Sequence, residues 1–160
     1  MKPYILIVDD QKITTKLLRR YVENNGYEAA EAYDGIECLE KVNERKPDVI
    51  ILDVMMPRMD GYETAKALKS QDATKDIPVV IVTALNDVHN QIKSMESGAD
   101  DFLSKPIEEK LLISKIKLLS DLNEMRKKND FLFNKLDEVI KGQMFPDNKT
   151  ANEMLADAGF

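Results

Sequence analysis

Tyr4-Ile-Leu-Ile-Val8, Val49-Ile-Ile-Leu52 and Val79-Val-Ile-Val82 are unbroken apolar runs of four or five residues. A strand with one wet face alternates polar and apolar side chains, so a run without alternation reads as a strand covered on both faces, as in a parallel sheet layered between helices. Two weaker segments extend the set: Tyr27 to Ala32, which alternates, and Phe102-Leu103, which follows Asp100-Asp101. Five strands of this kind suit one open sheet.

Helical patterns fill the intervals. Ile13, Leu17, Leu18, Tyr21 and Val22 form one apolar stripe, ended by Asn25-Gly26. Ile36, Leu39 and Val42 form the next, entered through an Asp34-Gly35 turn, with Cys38 beside it as a small core filler. Tyr62, Ala65 and Leu68 make a third stripe; Val88, Ile92 and Met95 make a fourth that stops at Gly98, with His89 at its flank as a surface residue. A fifth helix opens after Pro106. Strand and helix alternate throughout, the pattern of an α/β domain with a mainly parallel sheet and right-handed crossovers.

Composition narrows the class. In 160 residues, 43% hydrophobic and 32% charged, there is material for one core plus an appendage. A formal net charge of -6 argues against nucleic acid or an anionic membrane as partner. One cysteine rules out an intramolecular disulfide framework, and no apolar run approaches the roughly 18 residues of a membrane span. A reducing, cytoplasmic setting is expected.

Open α/β sheets bind ligands beyond the carboxyl ends of their strands. At those ends stand Asp9 and Asp10, then Asp53, then Thr83 and Ala84, then Lys105. Each residue alone has an ordinary structural explanation as a helix cap, a loop charge or a strand residue. Their convergence on one sheet edge does not. Two carboxylates about 5 Å apart repel by roughly 3 kcal/mol at an effective dielectric near 20, so three together need a counter-charge. Hard oxygen ligands without thiol or imidazole select Mg²⁺ or Mn²⁺. A metal, a lysine, a hydroxyl and a carboxylate nucleophile together describe a phosphoryl site in which an aspartate is itself phosphorylated.

The motifs Ile-Val-Asp9-Asp10, Leu-Asp53-Val-Met-Met-Pro57-Arg-Met-Asp-Gly61, Val-Thr83-Ala84 and Ser-Lys105-Pro106 resemble the receiver domain of bacterial two-component response regulators, over about residues 3 to 120. More narrowly, Asp-Val-Met-Met-Pro, Ile-Pro78-Val-Val and Ser97-Gly98-Ala-Asp-Asp-Phe102-Leu-Ser-Lys-Pro look like the first receiver of cyclic-di-GMP cyclase regulators. The resemblance implies a flavodoxin-like, doubly wound five-stranded parallel sheet in the order 2-1-3-4-5. It implies Asp53 as phosphoacceptor from a phosphohistidine on a sensor histidine kinase or phosphotransfer protein. Asp10, Asp53 and the Met55 carbonyl would ligate Mg²⁺, with Asp9 reaching it through water; Thr83, Lys105 and the Ala84 amide would hold the phosphoryl oxygens; and the bond before Pro106 would be cis. Phe102 stands at the family's switch aromatic. Met55 and Leu85 occupy the positions that tune the lifetime of the phosphorylated state, and as apolar residues they imply slow dephosphorylation.

Beyond the expected receiver, residues 1 to 120, the helical pattern continues. Leu118, Leu122, Met125, Asn129, Leu132, Leu136 and Val139 are spaced alternately four and three apart, about three heptads of coiled-coil seam in an extension at 121 to 142. Asn129 at a core position and an Asp121–Arg126 pairing across chains fit a parallel homodimer. The off-seam Phe131 and Phe133 point to alternatives, a fold-back onto the same chain or presentation of Phe133, Leu136 and Ile140 to an unidentified output protein. Residues 143 to 160 are expected to be a mobile tail or a brief helix.

Two other functions compete with the switch. A haloacid-dehalogenase-like phosphatase also phosphorylates a strand-end aspartate, but it wants a carboxylate two residues on, where Gln11 and Met55 stand. The chain could also be the regulatory front of a larger cyclic-di-GMP enzyme; no Gly-Gly-Asp-Glu-Phe or His-Asp signature follows the receiver motifs here.

Overall fold

The computed structural model describes residues 2–84, 88–140 and 151–160. In chain order the elements are β1 (Tyr4–Val8), α1 (Lys12–Asn24), β2 (Glu28–Ala32), α2 (Gly35–Glu44), β3 (Val49–Asp53), α3 (Gly61–Lys69), β4 (Val79–Thr83), α4 (Val88–Glu96), β5 (Asp101–Ser104), α5 (Glu109–Ile140) and α6 (Ala151–Asp157). The five strands form one sheet in the order β2-β1-β3-β4-β5, every pair parallel. This is the doubly wound, flavodoxin-like arrangement.

Why the apolar runs do not alternate is visible in the packing. On one face of the sheet Leu6, Val8, Ile50, Leu52, Val79 and Ile81 meet Cys38 and Val42 of α2 and Ala65 and Leu68 of α3. On the other, Ile5, Ile7, Val49, Ile51, Val80 and Val82 meet Leu18 and Val22 of α1 and Leu112 and Ile116 of α5. Successive strand residues thus serve opposite cores, and each fully buried Ile, Leu or Val contributes about 1.5–3 kcal/mol. Cys38 is fully buried, and desolvation pushes its thiol up to about 12.

The α4 stripe faces the other way from the sequence expectation, and the α1 stripe is split, with Leu18, Tyr21 and Val22 on the core and Ile13 and Leu17 outside it. In α1 the buried residues are Thr15, Leu18 and Val22, while Ile13 is 85% exposed and Leu17 is also in solvent. Ile13 and Leu17 sit one turn apart on the far side of the helix, and Thr15 enters the core by donating its hydroxyl to Lys12 O at 3.0 Å. In α4 the buried side chain is Ser94, hydrogen-bonded to Asn90 O, and Val88, Ile92 and Met95 are exposed. Ile36 is likewise exposed at the start of α2. Asp34 is not a turn residue but the N-cap of that helix, its carboxylate accepting the Glu37 N–H at 2.9 Å while Glu37 accepts the Tyr33 N–H.

The chain divides into two compact units, one ending at Ser120 and one beginning at Asp121. In the second, Leu122, Met125 and Leu136 are exposed, Leu132 is half-buried, and the Phe131 and Phe160 rings lie 6.1 Å apart, tilted. The Val139 side chain lies outside the described residues. No described helix is long and apolar enough to cross a membrane.

Candidate functional site

Parallel strands that all run the same way deliver their C-terminal residues to one edge, and this sets the site. β1 ends at Val8, so Asp9 and Asp10 follow directly; Asp53 is the last residue of β3, Thr83 the last of β4, and Lys105 follows β5. Asp9, Asp10 and Asp53 each place a carboxylate oxygen within 4.8 Å of the others. Asp9 and Asp53 are buried; Asp10 is exposed. Asp9 is held from behind, accepting the Gln11 N–H at 2.8 Å through Oδ1 and donating its own N–H to Ala32 O.

Lys105 reaches into this cluster from the opposite side. Its Nζ lies 2.9 Å from Asp53 Oδ1 and 3.4 Å from Asp9 Oδ2. The Lys105 N–H donates to Thr83 O at 2.8 Å, fixing the lysine to the end of β4, and the Lys105–Pro106 bond is cis. Burial raises the Asp53 carboxyl above its ordinary value; the hydrogen bond from Lys105 opposes that rise, and the neighbouring charges of Asp9 and Asp10 add to it. Burial pulls the Lys105 ammonium down, but the hydrogen bond and charge of Asp53, then of Asp9, outweigh it and leave it above its ordinary value.

The start of α3 lies hard against Asp53. A Cβ on Gly61 would collide with Asp53 O and come within 2.9 Å of Val54 Cα, so this position requires glycine. Asp60 caps the helix in a reciprocal box with Glu63. Met55, between Asp53 and this helix, is exposed; Thr83 is buried, Ala84 exposed, and Phe102 half-buried on β5 opposite Ile81. Leu85 lies outside the described residues. Asp10, Asp53, Met55, Thr83, Ala84 and Lys105 all line one cleft of about 810 Å³, which continues past Tyr62, Asn90 and Lys93.

Three carboxylates against one ammonium leave the cluster net negative among the described residues, with oxygen the only donor atom type offered. That donor set fits a hard divalent cation. The sequence reading missed Asp34 and Arg58, a pair that ties the β3–α3 loop to α2, and the Tyr62–Lys93 extension of the cleft. Neither carries a local motif.

Comparison with known proteins agrees with this geometry. The response regulator receiver domain family matches residues 5–117. Response regulator MprA of Mycobacterium ulcerans is 39% identical over 119 residues, covering 74% of this chain and 50% of that protein. Response regulator PleD of Caulobacter vibrioides is 41% identical over 120 residues, covering 75% of this chain but 26% of that protein. Among solved structures, the signal receiver domain of a signal transduction histidine kinase from Syntrophus aciditrophicus superposes with a TM-score of 0.70 at 38% identity, over 74% of this chain and 90% of that one. The chain belongs to the response regulator receiver family of two-component systems, and it spans about half the length of MprA and about a quarter of PleD. Receiver domains are phosphoacceptor switches that interact with sensor kinases.

Proposed function

We propose that Asp53 accepts a phosphoryl group from a phosphohistidine of a sensor kinase or phosphotransfer protein, and that the protein acts as a switch with at most slow self-dephosphorylation. The observation that carries this is the convergence of Asp9, Asp10, Asp53 and Lys105 at one sheet edge, with Asp53 buried and bonded to Lys105 at 2.9 Å. Asp10, Asp53 and the Met55 carbonyl would hold Mg²⁺, or Mn²⁺ in its place, with Asp9 acting through water. The cation would offset the charge of the acidic cluster and of the incoming phosphoryl oxygens.

The protein's own groups do the rest. Asp53 presents its carboxylate to the phosphorus from a fixed strand end, and placement with charge neutralisation is most of what phosphoryl transfer asks of a protein. Lys105 moves from pairing the free carboxylate to pairing the new phosphoryl oxygens. Thr83 donates its hydroxyl and Ala84 its amide to the same oxygens, and Phe102, lacking a tyrosine hydroxyl, changes position by packing alone. A ligand that separates two states by about 5.5 kcal/mol already takes a 1:99 population to 99:1. The seam residues Leu118, Leu122, Met125, Asn129, Leu132, Leu136 and Val139 would then transmit the change to a second copy or to an output protein in the cytoplasm. Exposure of Leu118, Leu122, Met125 and Leu136 supports a surface awaiting a partner.

Beryllofluoride, a stand-in for the phosphoryl group on a carboxylate, tests both parts. A bound ¹⁹F resonance should require Mg²⁺ and vanish in Asp53→Asn. Light scattering on the same samples should show a dimer for the full chain and a monomer for a version ending at Ser120. A resonance that survives in Asp53→Asn removes the site assignment; a monomer throughout removes the dimer. A second reading, the regulatory front of a longer cyclic-di-GMP signalling enzyme, is favoured by the motif resemblance around Asp53.

A further inference from the structure

We infer that Arg58 and Asp34 form a clamp that positions the β3–α3 loop, residues 54 to 60, and so sets the affinity of the site for its divalent cation. The inference rests on the proposed role of the Met55 carbonyl as a metal ligand. Arg58 is the one non-glycine residue with positive φ among the described residues, at 65°. An L side chain in that region costs conformational energy that glycine would not, so an arginine kept there points to work done by its side chain. The side chain does reach a partner: Nε lies 2.8 Å from Asp34 Oδ2, and Nη2 bonds the same oxygen.

Asp34 is a fixed anchor. It is buried, and its other oxygen is occupied by the Glu37 N–H at the start of α2. Gly35, next to it, packs so closely on the loop that a Cβ there would collide with Thr64 Oγ1 and come within 2.9 Å of Met59. The loop's far end is equally fixed: Gly61 N–H donates to Val54 O at 2.9 Å, and Asp60 and Glu63 cap α3 reciprocally. Between these ends stands Met55, which is 76% exposed; Val54 before it is tied to β4 by its N–H to Val82 O at 3.2 Å, and the chain after it enters the bend. The placement of its backbone therefore depends on how the bend at Pro57–Arg58–Met59 is held, and Met59 N–H to Pro57 O, 2.7 Å, together with the Arg58–Asp34 pair holds it. Groups that orient metal ligands without touching the metal commonly change affinity tenfold or more when removed.

The test is Mg²⁺ titration of the full chain by calorimetry, without phosphodonor, alongside thermal unfolding of the metal-free protein. Arg58→Gly and Asp34→Asn should each raise the half-saturating Mg²⁺ concentration about tenfold. The double variant should be no worse than either single one, because one interaction is lost in each case. Arg58→Lys should recover part of the affinity. Arg58→Gly should leave the metal-free melting temperature unchanged or higher, since glycine adopts the bend freely; a purely structural pair would instead lower it and leave Mg²⁺ binding alone. Wild-type Mg²⁺ affinity in both single variants overturns the clamp. An isotherm that does not respond to Asp53→Asn overturns the metal reading underneath it, and the clamp falls with it.

Discussion

Lys105 Nζ stands 2.9 Å from Asp53 Oδ1, two residues 52 positions apart in sequence whose ion pair joins a half-buried lysine to a buried carboxylate at the mouth of the sheet. The pair exists because β3 and β5 run parallel and end at the same edge. It also leaves Asp9 and Asp53, both buried, with this ammonium as a shared partner.

Lys105→Met should therefore destabilise the metal-free protein by about 1–3 kcal/mol, the cost of leaving a buried acceptor without its partner. Added Mg²⁺ should recover more stability in the variant than in the parent, because a bound cation replaces the missing charge. Urea unfolding with and without Mg²⁺ measures both numbers, and equal Mg²⁺ effects in the two proteins would contradict the metal assignment.

Asp34 carries a pH dependence of known sign. The Glu37 N–H holds its carboxyl below the ordinary value; desolvation opposes this and the Arg58 hydrogen bond adds to it. A depressed folded value means the stabilisation is complete above the ordinary carboxylate range near 3.8 and is lost as the pH falls below it. Asp34→Asn, which keeps the helix cap, should flatten the loss of stability between about pH 5 and pH 2, read as melting temperature against pH.

Exposure separates two leucine-rich segments of α5. Ile116 is fully buried against the sheet, and Ile116→Ala should cost about 2–5 kcal/mol of unfolding free energy. Leu122 is exposed, and Leu122→Ala should change the stability of the monomer by less than about 0.5 kcal/mol while weakening self-association. Chemical denaturation at low concentration and sedimentation at high concentration distinguish the two effects.

Met55 presents an apolar side chain to the cleft beside Asp53. Met55→Asn combined with Leu85→Glu should accelerate loss of the phosphoryl group by giving a hydrolytic water polar partners, as followed by decay of the phosphorylated protein after the donor is removed. An unchanged decay rate would detach lifetime from these positions.

The strands and their ends were legible because burial on both faces leaves an unmistakable mark, as in Val79–Val82, and because parallel topology turns strand ends into one locus. Helix orientation was less so. Periodicity shows that Val88, Ile92 and Met95 share a side, but not that the sheet lies on the other one, and in α1 it groups the exposed Ile13 and Leu17 with the buried Leu18 and Val22; Thr15 and Ser94 are buried because each hydroxyl finds a backbone carbonyl in its own helix. The Asp34–Arg58 pair left no trace in the sequence, since its partners are 24 residues apart and meet only once two loops fold onto each other.

Incubation with a small acyl phosphate and Mg²⁺, followed by mass mapping of the modified residue, addresses the phosphoacceptor directly. One phosphoryl group should appear, on Asp53, dependent on Mg²⁺ and absent in Asp53→Asn. Modification at another residue, or undiminished phosphorylation of Asp53→Asn, would contradict it.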